Sequence, residues 1–480
     1  MQPPQSVDAL AWFERLGVSA EAIRQVLATA TAHGADDADL YFEHATSTAI
    51  GLADRKVNRA HTSVDLGVGV RVVVGDQVGY AYTEDLSLES MLAAARTAST
   101  IARGAGRGTP PVGVSSVHPA SYYPVAHRWE QLALADRIPL VRGWEERVFA
   151  ADPRIAKVQA SIADADKWVL VARADGTLVG DYRPMTQAYV SCTAVDGTRR
   201  ESGSYNVSSR QDLSYYDDDR QSRLVDRAVA RAIGALDAGT APAGEMTVVL
   251  GAGSSGILLH EAIGHGMEAD FNRKETSIYA DKIGKRIAPK GVSIVDDGTI
   301  GGARGSINID DEGSTTENTM LVEDGILRSY IHDRISARHY GVATTGSGRR
   351  ESFRHPVLPR MRSTYMLPGE HAPEEILASV KQGIYCDTFA NGQVQIGAGD
   401  FSFYVRSGWL IEDGKLTKPI KDINVIGNGP KVLETIEMVG NDLVIDEGGW
   451  TCGKDGQSVP VSQGMPTVKV GRLSVGGGRS

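Results

Sequence analysis

Asp-Gly dipeptides punctuate strand-like runs at Asp175-Gly176, Asp196-Gly197, Asp297-Gly298, Asp324-Gly325 and Asp413-Gly414. Asp-Gly is among the strongest short hairpin signals, because a type I′ turn needs positive φ at both central residues. The chain is also rich in glycine, 54 of 480 residues, against about 7% in an average protein. A chain punctuated this way folds into many short-connected strands rather than a helical bundle.

Helical spacing appears in blocks between the strands. Residues 19–33 read as a helix with Ser19 as N-cap and Gly34 just past the end. Residues 86–103, 127–151 and 219–236 follow the same period. Strand patterns cover 39–82, where Val68, Val70, Val72 and Val74 share one face before a Gly75-Asp76 turn, and 156–210. Residues 103–117 are rich in Gly, Pro and Ser and read as an exposed loop. The small-residue stretch AGTAPAGE (238–245) reads as a linker. The expectation is an α+β protein of two domains. Residues 1–237 form an α/β sandwich-like domain; residues 245–480 form a β-rich, barrel-like, mainly antiparallel domain whose one helix lies near 255–270.

Charge and sorting signals exclude several classes. Fifty Lys and Arg against 60 Asp and Glu leave a net charge of −10, which argues against a non-specific nucleic-acid binder. No segment approaches the roughly 20 apolar residues of a membrane helix, and the N-terminus lacks a basic region followed by an apolar core. The expectation is a cytoplasmic protein without membrane or nucleic-acid partners, whose three cysteines stay reduced.

The segment MTVVLGAGSSGILLHEAIGHGMEADF (246–271) carries the chemistry. Gly251, Gly253 and Gly256 match G-x-G-x-x-G between a strand and a helix, which taken alone suggests a nucleotide-dependent oxidoreductase. The stretch where a second strand should end in an acidic residue, FNRKETSIYADK (271–282), shows no clear strand. Turn formation and close packing therefore account better for these glycines. The same helix contains H-E-x-x-x-H: His260, Glu261 and His265. Two imidazoles on one helix can share a metal ion, with the carboxylate beside its water. The common spacing is i, i+4; here it is i, i+5, which separates the side chains by about 140° on a regular α-helix. Joint chelation thus requires a π-bulge or a break at Gly264. Glu268 and Asp270, on the same helix, are further candidates, as ligands or as partners of an imidazole.

SSGILLHEAIGHGMEAD (254–270) resembles the signature of the TldD/PmbA family of metalloproteases. LGVGVRVVVGDQVGYAY (66–82), INIDDEGSTTENTMLVEDGIL (307–327), TGSGRRES (345–352), PRMRSTY (359–365) and GGWTCGKDGQ (448–457) are similar to its other blocks. The likeness is to the kind of chain that keeps H-E-x-x-x-H, rather than to the metal-free PmbA (TldE) kind. The resemblance implies a zinc site of His260, His265 and Cys452, with Glu261 as the catalytic base. It also implies hydrolysis of unfolded or flexible peptides, in the maturation or degradation of small proteins and modified peptides. It further implies a heterodimer with a PmbA/TldE-type subunit, a homodimer being possible. A catalytically inactive metal-binding partner subunit is the alternative. Lys454 would help keep Cys452 a thiolate, while Cys192 and Cys386 read as buried small hydrophobes. For the oxyanion-stabilising donor, His355, Tyr365, Tyr385 and Tyr404 stand unranked.

Overall fold

The computed structural model describes residues 9–101, 115–117, 120–395 and 397–476. The first half is organised on a seven-stranded sheet. Its strands are β1 (Asp37–Ala53), β2 (Lys56–Val74), β3 (Gln77–Thr83), β4 (Ser115–Val117), β5 (Ile155–Arg173), β6 (Thr177–Asp196) and β7 (Arg199–Ser209). They run in the order β3-β2-β1-β5-β6, with β4 and β7 both on β6. All neighbours are antiparallel except β4, which lies parallel to β6. The turns after β5 and β6 fall on Asp175-Gly176 and Asp196-Gly197, with φ +91° at Gly176 and +61° at Gly197. The loop expected over 103–117 lies largely outside the described residues, and its end, Ser115–Val117, is strand β4.

Among the described residues five α-helices accompany this sheet: α1 (Ala9–Glu14), α2 (Ala20–Thr31), α3 (Leu88–Ile101), α4 (Leu134–Ala151) and α5 (Asp218–Asp237). Ser19 caps α2 as expected, its hydroxyl accepting from Ala22 N at 3.1 Å. Phe13, Ile23 and Met91 bury against Leu40, Val68, Val70 and Val72 in one core. Trp144 and Leu224 bury against Ile162 and Val190 in another. The valines of β2 thus face helices at period 2, but Gly67, Gly69, Arg71 and Val73 are buried as well. Their face is covered by chain from the second half. Phe353 sits against Gly67, Tyr80 Oη donates to Phe353 O at 2.6 Å, and Arg71 reaches both Asp39 and Glu312 at 2.6 Å.

The second half contains a closed barrel. Strands β8 (Gly239–Thr240), β9 (Gly244–Leu250), β10 (Ile294–Asp297), β11 (Asn318–Glu323), β12 (Ile326–Leu327), β13 (Gly348–Arg349), β14 (Leu358–Pro359), β15 (Ser363–Met366), β16 (Gln382–Gln395), β17 (Asp400–Glu412), β18 (Lys415–Asn428), β19 (Ile436–Val439), β20 (Val444–Ile445), β21 (Thr451–Lys454), β22 (Gln457–Pro460), β23 (Ser462–Met465) and β24 (Val468–Gly476) follow in order. β9-β16-β17-β18-β24 form a ring, because β24 pairs with both β9 and β18. Only the β9–β16 junction of the ring is parallel. A six-stranded sheet, β12-β11-β10-β15-β23-β20, stands beside it. Leu258, Leu259, Ala262 and Ile263 of the 254–267 helix share one core with Ile384, Phe403, Val405 and Val425 of the barrel.

Two expectations change here. Asp324-Gly325 and Asp413-Gly414 turn hairpins, but Asp297-Gly298 does not: β10 instead pairs with β11, beyond a long excursion. The Asp297 carboxylate is taken up by Thr299 N and Oγ1, Asn318 Nδ2 and Tyr365 Oη, so it anchors a loop rather than a two-residue turn. The 255–270 helix is also not alone in this half: Arg334–Tyr340, Pro373–Ala378 and Gly429–Glu434 are short helices. No helix among the described residues is long and apolar enough to cross a membrane.

Candidate metal centre

β9 ends at Leu250, and the chain turns through Gly253 at φ +90° into a helix of changing pitch. Ser254–Gly256 is 3-10, Ile257–Leu259 is α, His260–Gly264 is π, and His265–Met267 is 3-10 again. The His265 N–H donates to His260 O, five residues back. This widened turn brings together two histidines that a regular helix would hold apart. Their ring centroids lie 5.1 Å apart.

Gly264 has another reason than the flexibility expected of it. Its φ of −56° and ψ of −49° are ordinary helical values. What requires glycine is Met361, whose Sδ occupies the space a Cβ would need. Gly256 likewise lies against the backbone of Gly464, and Gly251 against the Tyr385 hydroxyl. The glycines of the apparent nucleotide motif therefore serve the turn and close packing. Gly264→Ala would gain about 1 kcal/mol of helix propensity but overpack the core at a cost of about 1–3 kcal/mol. A lower midpoint of thermal unfolding is expected; a raised midpoint would show that Met361 is not the constraint.

Cys452 arrives from β21, which pairs with β22 in a hairpin turned at Asp455-Gly456. Its Sγ lies 3.5 Å from His265 Nε2. One nitrogen from each of His260 and His265 and the Cys452 sulfur all lie within 4.8 Å of one another. The three residues are 2%, 5% and 2% exposed, and His260 Nδ1 has no hydrogen-bond partner. Two imidazoles and a thiol converging in a buried place suit a borderline-soft cation such as zinc. Glu261 is half-buried, the one residue of the motif that is not fully buried.

The surrounding charges favour the ligating thiolate of Cys452 but also hold a proton on His265, which a bound metal would have to displace. Burial opposes charge on Cys452, but His260 and His265 outweigh it and hold the thiol well below its usual range. Burial likewise opposes charge on His265, yet Glu268 and Cys452 push it up. Burial raises Glu261 above the ordinary carboxylate value, against the pull of the two histidines. Burial pushes Cys192 up to about 11 and Cys386 higher still, so both stay inert thiols.

Glu268 lies behind the donors: its Oε2 meets His265 Nδ1 at 3.0 Å. Lys454 does not attend the thiolate as expected. Its Nζ lies 2.7 Å from Asp270 Oδ1 and 3.2 Å from Glu268 Oε2. The oxyanion candidates have other partners: Tyr365 Oη donates to Asp297, Tyr404 Oη to Asp422, and the His355 ring meets Ser352 Oγ. Tyr385 Oη packs on Gly251. Sequence reading overlooked Arg360, whose Nη2 donates to Cys452 O at 2.6 Å; PRMRSTY carries no local sign of such a partner.

Three family models match this chain: PmbA/TldA metallopeptidase domain 1 at residues 38–102, the central domain at 127–236, and the C-terminal domain at 243–477. A relative named metalloprotease TldD homolog, from Haemophilus influenzae, is 42% identical over 448 residues, 92% of this chain and 93% of its own length. The chain belongs to the PmbA/TldD family of metallopeptidases. Another member, named zinc metalloprotease TldD homolog, from Saccharolobus solfataricus, is 36% identical over 52% of this chain and 55% of its own. The family fold recurs in TldE from Thermococcus kodakarensis, with TM-score 0.72 and 17% identity over 95% of this chain and 99% of that one. A Thermotoga maritima protein matches with TM-score 0.77 and 21% identity over 95% and 99%.

Proposed function

We propose that this metallopeptidase-family chain is a zinc-dependent peptidase, with His260, His265 and Cys452 as zinc ligands and Glu261 as general base. The convergence of two imidazoles and one thiol beside a half-buried glutamate carries this reading. Bound zinc would supply Lewis-acid activation of water and of the scissile carbonyl. Glu261 takes the proton of the attacking water and passes it to the leaving amine; burial raises its pKa toward the range such a base needs. The half-buried placement of Glu261 beside the donors favours an active subunit over a vestigial one.

The substrates are unfolded or flexible peptides, and the working form is a dimer with a PmbA/TldE-type chain in the cytoplasm. Residues 1–237 serve as the domain for dimerisation and access, and 245–480 as the peptidase domain. β20, which ends the six-stranded sheet, leads directly into the segment bearing Cys452. Capture there by strand addition would read main chain rather than side chains. The test is cleavage of one polypeptide in folded and unfolded form, with and without the PmbA-type chain. Cleavage confined to the unfolded form, abolished by chelator and restored by zinc, is expected. Strict dependence on a single side chain, or indifference to chelator, would contradict the reading.

A further inference from the structure

Lys454 and Cys452 lie two residues apart on β21 and point to the same, buried face of the strand. Cys452 meets the histidine-bearing helix at the metal centre; Lys454 meets the chain just beyond its end, at the extended Glu268 and at Asp270 in the next short helix, Ala269–Arg273. The Lys454 ammonium has three N–H donors, and three acceptors surround it: Asp270 Oδ1 at 2.7 Å, Pro359 O at 3.2 Å and Glu268 Oε2 at 3.2 Å. Glu268 Oε2 is the same oxygen that meets His265 Nδ1 at 3.0 Å. A continuous path therefore runs from the Cys452 strand through Lys454 and Glu268 to the His265 ring, and the ring returns to Cys452 with Nε2 3.5 Å from the sulfur.

We infer that Lys454 is a positioning residue for the metal centre: through Glu268 it sets the His265 ring, and through its own strand it sets the Cys452 sulfur. This rests on the zinc reading above. Stability alone gives little reason for these charges, since well-packed apolar residues do as well as a buried ion pair, or better. Apolar contacts lack direction, whereas the carboxylate holds a proton on Nδ1 and leaves Nε2 free as the donor to metal. Arg360 strengthens the arrangement from the other side, with Nε 3.9 Å from Glu268 Oε1 and Nη2 on the Cys452 carbonyl. The hairpin and the helix are thus joined before any ion arrives.

The test uses the full chain as Lys454→Met, Glu268→Gln and the double variant. Zinc affinity is measured by competition with a chromophoric chelator. The thiolate-to-cobalt charge-transfer band of cobalt-loaded protein reports ligand geometry, which a merely structural role would not move. Each single variant is expected to bind zinc about 10- to 100-fold more weakly with a shifted band. The double is expected to be no more than about threefold weaker than the worse single, because both act along one path. Wild-type affinity and an unshifted band in the single variants, or fully additive losses in the double, would overturn the inference. A wild-type chain that binds no zinc would instead overturn the metal centre, and this inference with it. If Lys454→Met does not fold, Lys454→Arg carries the test. It keeps the charge, but a planar guanidinium does not reproduce the three-acceptor geometry. Weaker zinc binding with a shifted band supports the role; wild-type values overturn it.

Discussion

Glu261→Gln is expected to keep zinc bound and to lower the rate of peptide cleavage about 100- to 10,000-fold, the usual contribution of a positioned general base. That corresponds to about 3–5 kcal/mol of barrier. The amide occupies the same half-buried place, so packing is preserved, but it cannot take a proton from water. The proposed ligands His260 and His265 remain at the two ends of the π turn, so metal content should match the wild type. The measurement pairs single-turnover cleavage of an unstructured peptide with elemental analysis of the same sample. Near wild-type cleavage with zinc in place would remove Glu261 as the base. Loss of zinc along with activity would make it a structural support of the site instead.

The second large effect concerns Cys452. A thiolate ligand is soft and oxidisable. Peroxide takes its sulfur to sulfenic acid, itself being reduced to water, and the modified sulfur is a poor zinc ligand. Oxidant should therefore release zinc and abolish activity in parallel, and Cys452→Ala should already lack both. The other cysteines are not expected to produce the same result: burial holds Cys192 and Cys386 as thiols with raised pKa values, whereas Cys452 is lowered, and neither belongs to the donor cluster. Peptide mapping after mild oxidation is expected to find modification at Cys452 first. Activity that survives oxidant in zinc-loaded protein would count against a sulfur ligand.

Local chemistry made part of this molecule legible. The Ser19 cap, the Asp-Gly turns on either side of β6 and the period of β2 each depend on a few neighbouring residues, and each appears in the structure. The i, i+5 histidine spacing demanded a deformed helix, and the π turn supplies it. What lay beyond reach depends on distant chain. Cys452 is 187 residues from His265 and entered through family resemblance, not spacing. Asp297-Gly298 carries a turn signal overridden by Thr299, Asn318 and Tyr365. Burial of both faces of β2 depends on Phe353 and Glu312 arriving from the other half of the chain. The role of Lys454 lay beyond reach for the same reason, because its partners Glu268 and Asp270 come from distant chain at the break after the histidine-bearing helix.

Zinc stoichiometry tests the account most directly. Elemental analysis of the purified wild-type chain, beside His260→Ala, His265→Ala and Cys452→Ala, is predicted to give about one zinc per wild-type chain, as a three-ligand catalytic site holds, and none in the variants. Peptide cleavage by metal-free protein, or zinc retained at wild-type levels in all three variants, would contradict it.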